Sequence, residues 1–211
     1  MTRVLAALLD GVAAGRYPPP DGGVTILPQP SPRDAGVLAF TAHSVIVIDL
    51  DPAWVRGQLP PGDLAGPMQP PFLQAICAKS GRRVSSTDMV CVATPRPGPP
   101  PVALIPATNL SHPRIARALR YRDDVRAWQA PGGVVLLGRG LAGRWEVAVE
   151  VDPGYQGRGL GRGLAAAARH LVPGGAPLWA QIAPGNAASV RAFLAAGYVP
   201  VGAEALLLAM P

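Results

Sequence analysis

Lysine is almost missing from this sequence: of 19 basic residues, only Lys79 is not arginine. The arginines are scattered, and no basic run interleaves with aromatic residues, so a nucleic-acid surface is not expected. Aromatic residues make up 5% and charged residues 15% against 49% hydrophobic residues, which excludes a disordered chain and requires an aliphatic core. Cysteine is limited to Cys77 and Cys91, both in apolar surroundings, too few for a disulfide framework and without C-x-x-C spacing. They read as buried thiols in a reducing, cytoplasmic compartment. His43, His112 and His170 are isolated, so no metal set can be built from them. No stretch reaches the ~20 apolar residues that span a bilayer. Arg3 ahead of an apolar run looks slightly like a signal peptide. Asp10 interrupts that run, and Val4, Leu5, Leu8 and Val12 share a helical face, which predicts an amphipathic helix instead.

A length of 211 residues allows one large domain or two small ones. After the first helix, Tyr17-Pro-Pro-Pro-Asp-Gly-Gly is a break. Strands are predicted at 24–27, 36–41 and 44–50, the last two joined at Ala42-His43 as a hairpin. The spacing predicts a helix over 70–79 and strands over 84–94 and 102–107, with proline-rich 95–101 as a boundary between domains 1–100 and 101–211. Ser111-His112-Pro113 opens a helix whose Ile115, Ala118 and Leu119 share a face. Strands at 125–130, 134–140 and 144–151 follow as an antiparallel meander, then a glycine loop, a helix, strand 178–183, helix 187–196 and strand 205–210.

The richest stretch is Trp145 to Tyr198. WEVAVEV alternates Val147, Val149 and Val151 on one face with Glu146, Ala148 and Glu150 on the other. It turns at Asp152-Pro153-Gly154 into Gln156-Gly157-Arg158-Gly159-Leu160-Gly161-Arg162, which opens an alanine-rich helix. Strand, glycine loop and helix aim backbone N–H groups and a helix dipole at one point, an anion site. The dinucleotide fingerprint fails for want of a glycine at 162, and the Walker pattern for want of Gly-Lys-Ser/Thr.

Val151, Pro153, Gln156, Gly159 and Gly161 fit Val-x-Pro-x-x-Gln/Arg-x-x-Gly-x-Gly/Ala, and Asn186, Val190, Arg191, Phe193, Gly197 and Tyr198 follow as a second motif. In these two motifs the chain resembles the GNAT superfamily of acyl-CoA-dependent N-acyltransferases, over about residues 112–210. The resemblance implies an α/β (mixed α+β) fold, a mostly antiparallel twisted sheet flanked by helices. It also implies transfer of an acetyl or other short acyl group from acetyl-CoA (coenzyme A) to a small-molecule or peptide amine. Neither nucleic acid nor membrane is an expected partner, and the chain is expected as monomer or homodimer. Residues 1–100 stay open between a degenerate second copy and an acceptor-side lid. VIVIDLDPAW repeats the strand and Asp-Pro turn of VAVEVDPGY, though such a turn is also common in unrelated chains.

The resemblance places the coenzyme A pyrophosphate over residues 156–162, where Gly157, Gly159 and Gly161 admit it, Leu160 lies between, and Arg158 and Arg162 add charge. Val149 and Val151 lie beside the pantetheine arm, and a backbone N–H between Ala148 and Val151 holds the thioester oxygen. Strand 178–183 has to splay from the Trp145–Val151 strand to admit the arm. Asn186 both caps a helix and meets the cofactor, and Arg191 reaches a phosphate or sits exposed. An alkylammonium must lose a proton before it attacks, and either Glu146 or Glu150 could take it. Phe193 stands where many family members have a tyrosine acid. That leaves Tyr198, Ser189, water or unassisted departure of the thiolate, and keeps a non-catalytic acyl-CoA-binding module in play.

Overall fold

The computed structural model describes residues 2–210; Met1 and Pro211, the outermost residues of the two expected domains, lie outside the described residues. The helices are α1 (Thr2–Ala13), α2 (Pro52–Gly57), α3 (Pro70–Ser80), α4 (Pro113–Tyr121), α5 (Leu160–Leu171) and α6 (Ala187–Ala195). The strands are β1 (Val24–Leu27), β2 (Gly36–Phe40), β3 (His43–Val47), β4 (Arg82–Ala93), β5 (Ile105–Pro106), β6 (Asp123–Ala130), β7 (Gly133–Arg139), β8 (Trp145–Val151), β9 (Leu178–Ile182) and β10 (Val199–Ala209). The chain forms two compact units, residues 1–89 with 201–211, and residues 90–200. The class is mixed α/β. Parallel pairing is confined to β1 with β3 and β8 with β9 among the strand pairs of known register; the other such pairs are antiparallel. None of the described helices is long and apolar enough to cross a membrane.

In the first unit the strands lie in the order β1-β3-β2-β10. Val37, Ile46, Phe72, Ile76, Ala205 and Leu207 form an aliphatic core with a single ring at its centre. α1 buries Leu5 and Val12 as the sequence suggested, but the third buried position is Leu9, and Val4 is exposed. The hairpin loop is Thr41-Ala42, one residue earlier than Ala42-His43: Phe40 pairs with His43, and Ala42 takes the positive φ of 50°. α2 replaces what reads as a bare Asp-Pro turn. Asp51 Oδ1 accepts the Ala53 N–H at 3.1 Å, and Pro52 supplies a fixed φ in the first turn.

In the second unit β9-β8-β7-β6-β5 lie side by side. The strand expected over 102–107 shrinks to Ile105–Pro106; Pro99, Pro100 and Pro101 before it and Pro106 within it have no N–H to give to a ladder. The final strand is longer than the expected 205–210, starting at Val199. α4 is capped by His112 Nδ1, which accepts the Arg114 N–H, while the Ser111 hydroxyl turns to Asn109. Ile115 and Ala118 pack on Leu136, whereas Leu119 is exposed on the arginine side of the helix.

Candidate active site

The site is built on β8. Opposite residues of an antiparallel pair alternate between exchanging both backbone hydrogen bonds and exchanging none. The Asp152 N–H donates to the Gly132 carbonyl at 2.9 Å, and the register continues as Gly133↔Val151, Val134↔Glu150 and Val135↔Val149. Ala148 and Glu150 therefore direct their backbone groups to β7, and Val149 and Val151 direct theirs to the opposite edge. There β9 pairs only through Trp145↔Leu178, Glu146↔Trp179 and Val147↔Ala180. β8 runs on to Val151 and β9 to Ile182 without further pairing. The strands part at Val149, and the Val151 carbonyl accepts from Gln156 Nε2 at 3.2 Å.

The loop after β8 leads this open edge to the start of α5. Gly157 and Gly159 hold φ of 74° and 84°, a region that favours glycine, and no neighbouring atom lies within 4 Å of where a Cβ would project. Gly159 caps α5 without a side chain, so no side chain satisfies the N–H groups of the first turn. The positive end of the helix dipole is left facing outward, flanked by exposed Arg158 and Arg162. A Cβ on Gly161 would meet Val151 Cγ2 at 3.6 Å and Ala192 Cβ at 3.9 Å, so the two sequence motifs converge at this glycine.

α6 starts at Asn186, whose Oδ1 accepts the Ser189 N–H at 3.0 Å; Ser189 is half-buried and Arg191 exposed. Phe193 and Tyr198 stack edge to face at 4.9 Å. Tyr198 is 2% exposed and donates its hydroxyl to the Ala165 carbonyl at 3.2 Å. Burial drives its phenol pKa far above the usual range. Gly197 is required by φ of 85° and by Arg169, whose Nη1 donates to the Ala196 carbonyl at 2.8 Å. Arg169 also holds Thr94, through its carbonyl at 2.9 Å and its hydroxyl at 3.2 Å. Desolvation lowers the Arg169 pKa from its ordinary value, with no carboxylate bonded to it.

Glu146 and Glu150 share a face but not an environment. Glu146 is 3% exposed, with Oε1 on Arg144 Nε at 2.9 Å and Oε2 on Arg122 Nε at 3.0 Å. Gln181 joins both Glu146 and Arg122. Burial, the largest single influence, raises the carboxyl pKa, but the two guanidiniums and the hydrogen bonds together outweigh it and hold the group below the usual range. A Cβ on Gly140 would overlap this carboxyl, so the glycine there makes its room. Glu150 accepts from Arg114 Nε at 2.8 Å, with both side chains more than a third exposed. Near it, a cavity of about 190 Å³ is lined by Asn109, His112, Ile115, Gln129, Val134 and Asp152, among others. Asp124 pairs with Arg139 at 3.0 Å. No group of three or more metal-binding side chains occurs among the described residues.

Val149 and Val151 thus line the parting of β8 and β9, Gly161 lies between Val151 and Ala192 of α6, and Glu146 and Tyr198 are buried. Sequence reasoning missed Arg122, Gln181, Thr94 and Arg169. The available signals were the one polar residue in LWAQIA and the one arginine on the alanine face of α5.

Among solved structures, the chain is similar to a GCN5-related N-acetyltransferase from Kribbella flavida, at 18% identity over 67% of this chain and 65% of that one, with a TM-score of 0.43. It is also similar to one from Sphaerobacter thermophilus, at 15% identity over 64% and 55%, with a TM-score of 0.39. The chain spans less than two thirds of the length of either. Likenesses of this strength leave the assignment to sequence, and no curated protein matches. Residues 123–198, which hold the meander, the glycine loop and both motifs, match the acetyltransferase (GNAT) family.

Proposed function

We propose that the second unit is an N-acyltransferase that moves an acetyl or other short acyl group from its coenzyme A thioester to an amine by direct attack. The observation that carries this is an open β8 edge, at Val149 and Val151, leading to an uncapped helix start. The family match over 123–198 supports it. In this reading the pyrophosphate rests on the N–H groups of residues 157–162, with Arg158, Arg162 and Arg191 adding charge and Asn186 alongside. The pantetheine arm extends β8 as an added strand. The Val149 N–H faces the thioester oxygen as it becomes an oxyanion. Glu146 and Tyr198 act as props, and Glu150 and Ser189 are the polar groups a substrate reaches.

The acceptor, small molecule or peptide, and the monomer or homodimer state belong to the proposal. So does a reducing, cytoplasmic setting, which free Cys77 and Cys91 fit. A second reading, a module that holds acyl-CoA without turnover, is favoured by Phe193 and by the enclosure of Glu146 and Tyr198. Thiol release from acetyl-CoA with a broad amine panel separates the two. Turnover with any acceptor establishes the first, and saturable binding without turnover establishes the second.

A further inference from the structure

Resting on the acyl-transfer reading, we infer that the acceptor is an amine already uncharged at neutral pH, an aromatic amine or a hydroxylamine- or hydrazine-type nitrogen. The site discriminates against alkylammonium groups such as lysine side chains and polyamines.

The groups of the second unit that could accept a proton near Val149 are engaged or remote. Glu146 is enclosed, with both oxygens engaged by Arg144 and Arg122. Glu150 is in an ion pair with Arg114. His112 uses Nδ1 to accept the Arg114 N–H, which puts its own proton on Nε2 and leaves no acceptor lone pair. Tyr198 donates inward to Ala165. Asp152 is three residues beyond Val149, roughly 10 Å along an extended chain. His170 is ten residues into α5 from Leu160, about 15 Å along the helix. The groups close to the open edge are thus engaged, and Asp152 and His170 are distant from it.

Charge points the same way. Three guanidiniums, of Arg114, Arg122 and Arg144, surround two carboxylates, and α4 adds Arg117 and Arg120 stacked beside Tyr121 at 5.3 and 5.4 Å. A cation approaching this face is repelled, and an anionic substituent is attracted.

A neutral nitrogen needs no base before attack. Its lone pair forms the N–C bond, the tetrahedral oxyanion collapses, and the C–S bond breaks with its electron pair on sulfur. The proton then shed by nitrogen neutralises the thiolate, directly or through water. An alkylammonium with a pKa of ~10 is neutral to only about one part in 1,000 at pH 7, so without a base it reacts correspondingly slowly.

The test compares 4-aminobenzoate with 4-(aminomethyl)benzoate, which share ring and carboxylate and differ in amine basicity. Spermidine serves as a polycation. Thiol release is measured from the full chain with acetyl-CoA at pH 7. The expected result is kcat/KM at least ~100-fold higher for 4-aminobenzoate than for either alkylamine. Equal or faster reaction of the alkylamines overturns the inference, as does the absence of turnover with every amine. Arg114→Ala is expected to release Glu150 and raise the alkylamine rate about tenfold; an unchanged ratio between the two benzoates also overturns it. Calorimetric titration of acetyl-CoA runs in parallel. No binding sinks the acyl-transfer reading itself, whereas binding with a preference for alkylamines sinks only the acceptor class.

Discussion

Two strands of this molecule end in the same words and do different things. β3 leads through Ile48 and Leu50 to Asp51-Pro52, and β8 leads to Asp152-Pro153. After the first turn the Asp51 carboxylate caps six-residue α2 at once, accepting the Ala53 N–H, and the Gln58 N–H closes the helix on the Val55 and Arg56 carbonyls. After the second, Asp152 caps nothing with its side chain, and the chain detours through Gly157 and Gly159 before a twelve-residue helix starts without a side-chain cap. The strands diverge as well. Where β3 buries Val45, β8 buries Glu146 between two arginines; Asp49 accepts the Gln29 N–H at 2.8 Å, and the aligned Glu150 faces Arg114. One turn is self-sufficient, and the other leaves donors for a ligand.

The largest way to break the comparison is Glu146→Ala, which strands Arg122 and Arg144 in the interior. A loss of ~3–5 kcal/mol in denaturant unfolding is expected, against the ~1–3 kcal/mol of shortening aligned Val45 to alanine. Because the folded Glu146 pKa is depressed, its contribution is fully present above the unfolded value of ~4.3 and is lost as pH falls through the folded one. Thermal melts from pH 7 to 3 should show that decline in the wild type and lose that component in Glu146→Gln. Next in size is Gly161→Glu, expected to weaken coenzyme A binding by more than ~100-fold, about 2.7 kcal/mol, by placing a carboxylate at the uncapped helix start. Gly197→Ala follows, at ~2–3 kcal/mol in thermal unfolding, from a strained φ and the approach of Arg169. Asp51→Ala should cost ~1 kcal/mol as a lost cap, while Asp152→Ala costs under about half that. Equal costs at the two aspartates would erase the distinction between the turns.

These differences also separate what the sequence discloses from what it does not. The meander, the glycine loop and α5 are legible because local signals set them: alternation in WEVAVEV, glycine where φ turns positive, alanine in the helix. The mixed, mostly antiparallel architecture follows from that order. α2 escapes notice because a six-residue helix has too little periodicity to stand out from an Asp-Pro turn. The surroundings of Glu146 escape because Arg122 and Gln181 lie 59 residues apart in sequence, and Arg169 reaches Thr94 across 75. Alternation puts Glu146 and Glu150 on one face, but only tertiary packing makes one enclosed and the other accessible.

The central claim, that the turn after β8 and not the one after β3 receives an acyl-CoA, is tested most directly by calorimetric titration of the full chain with coenzyme A. Saturable one-to-one binding is expected, which Gly161→Glu removes and Asp51→Ala leaves unchanged. No binding by the wild type, or equal binding by the wild type and Gly161→Glu, would contradict it.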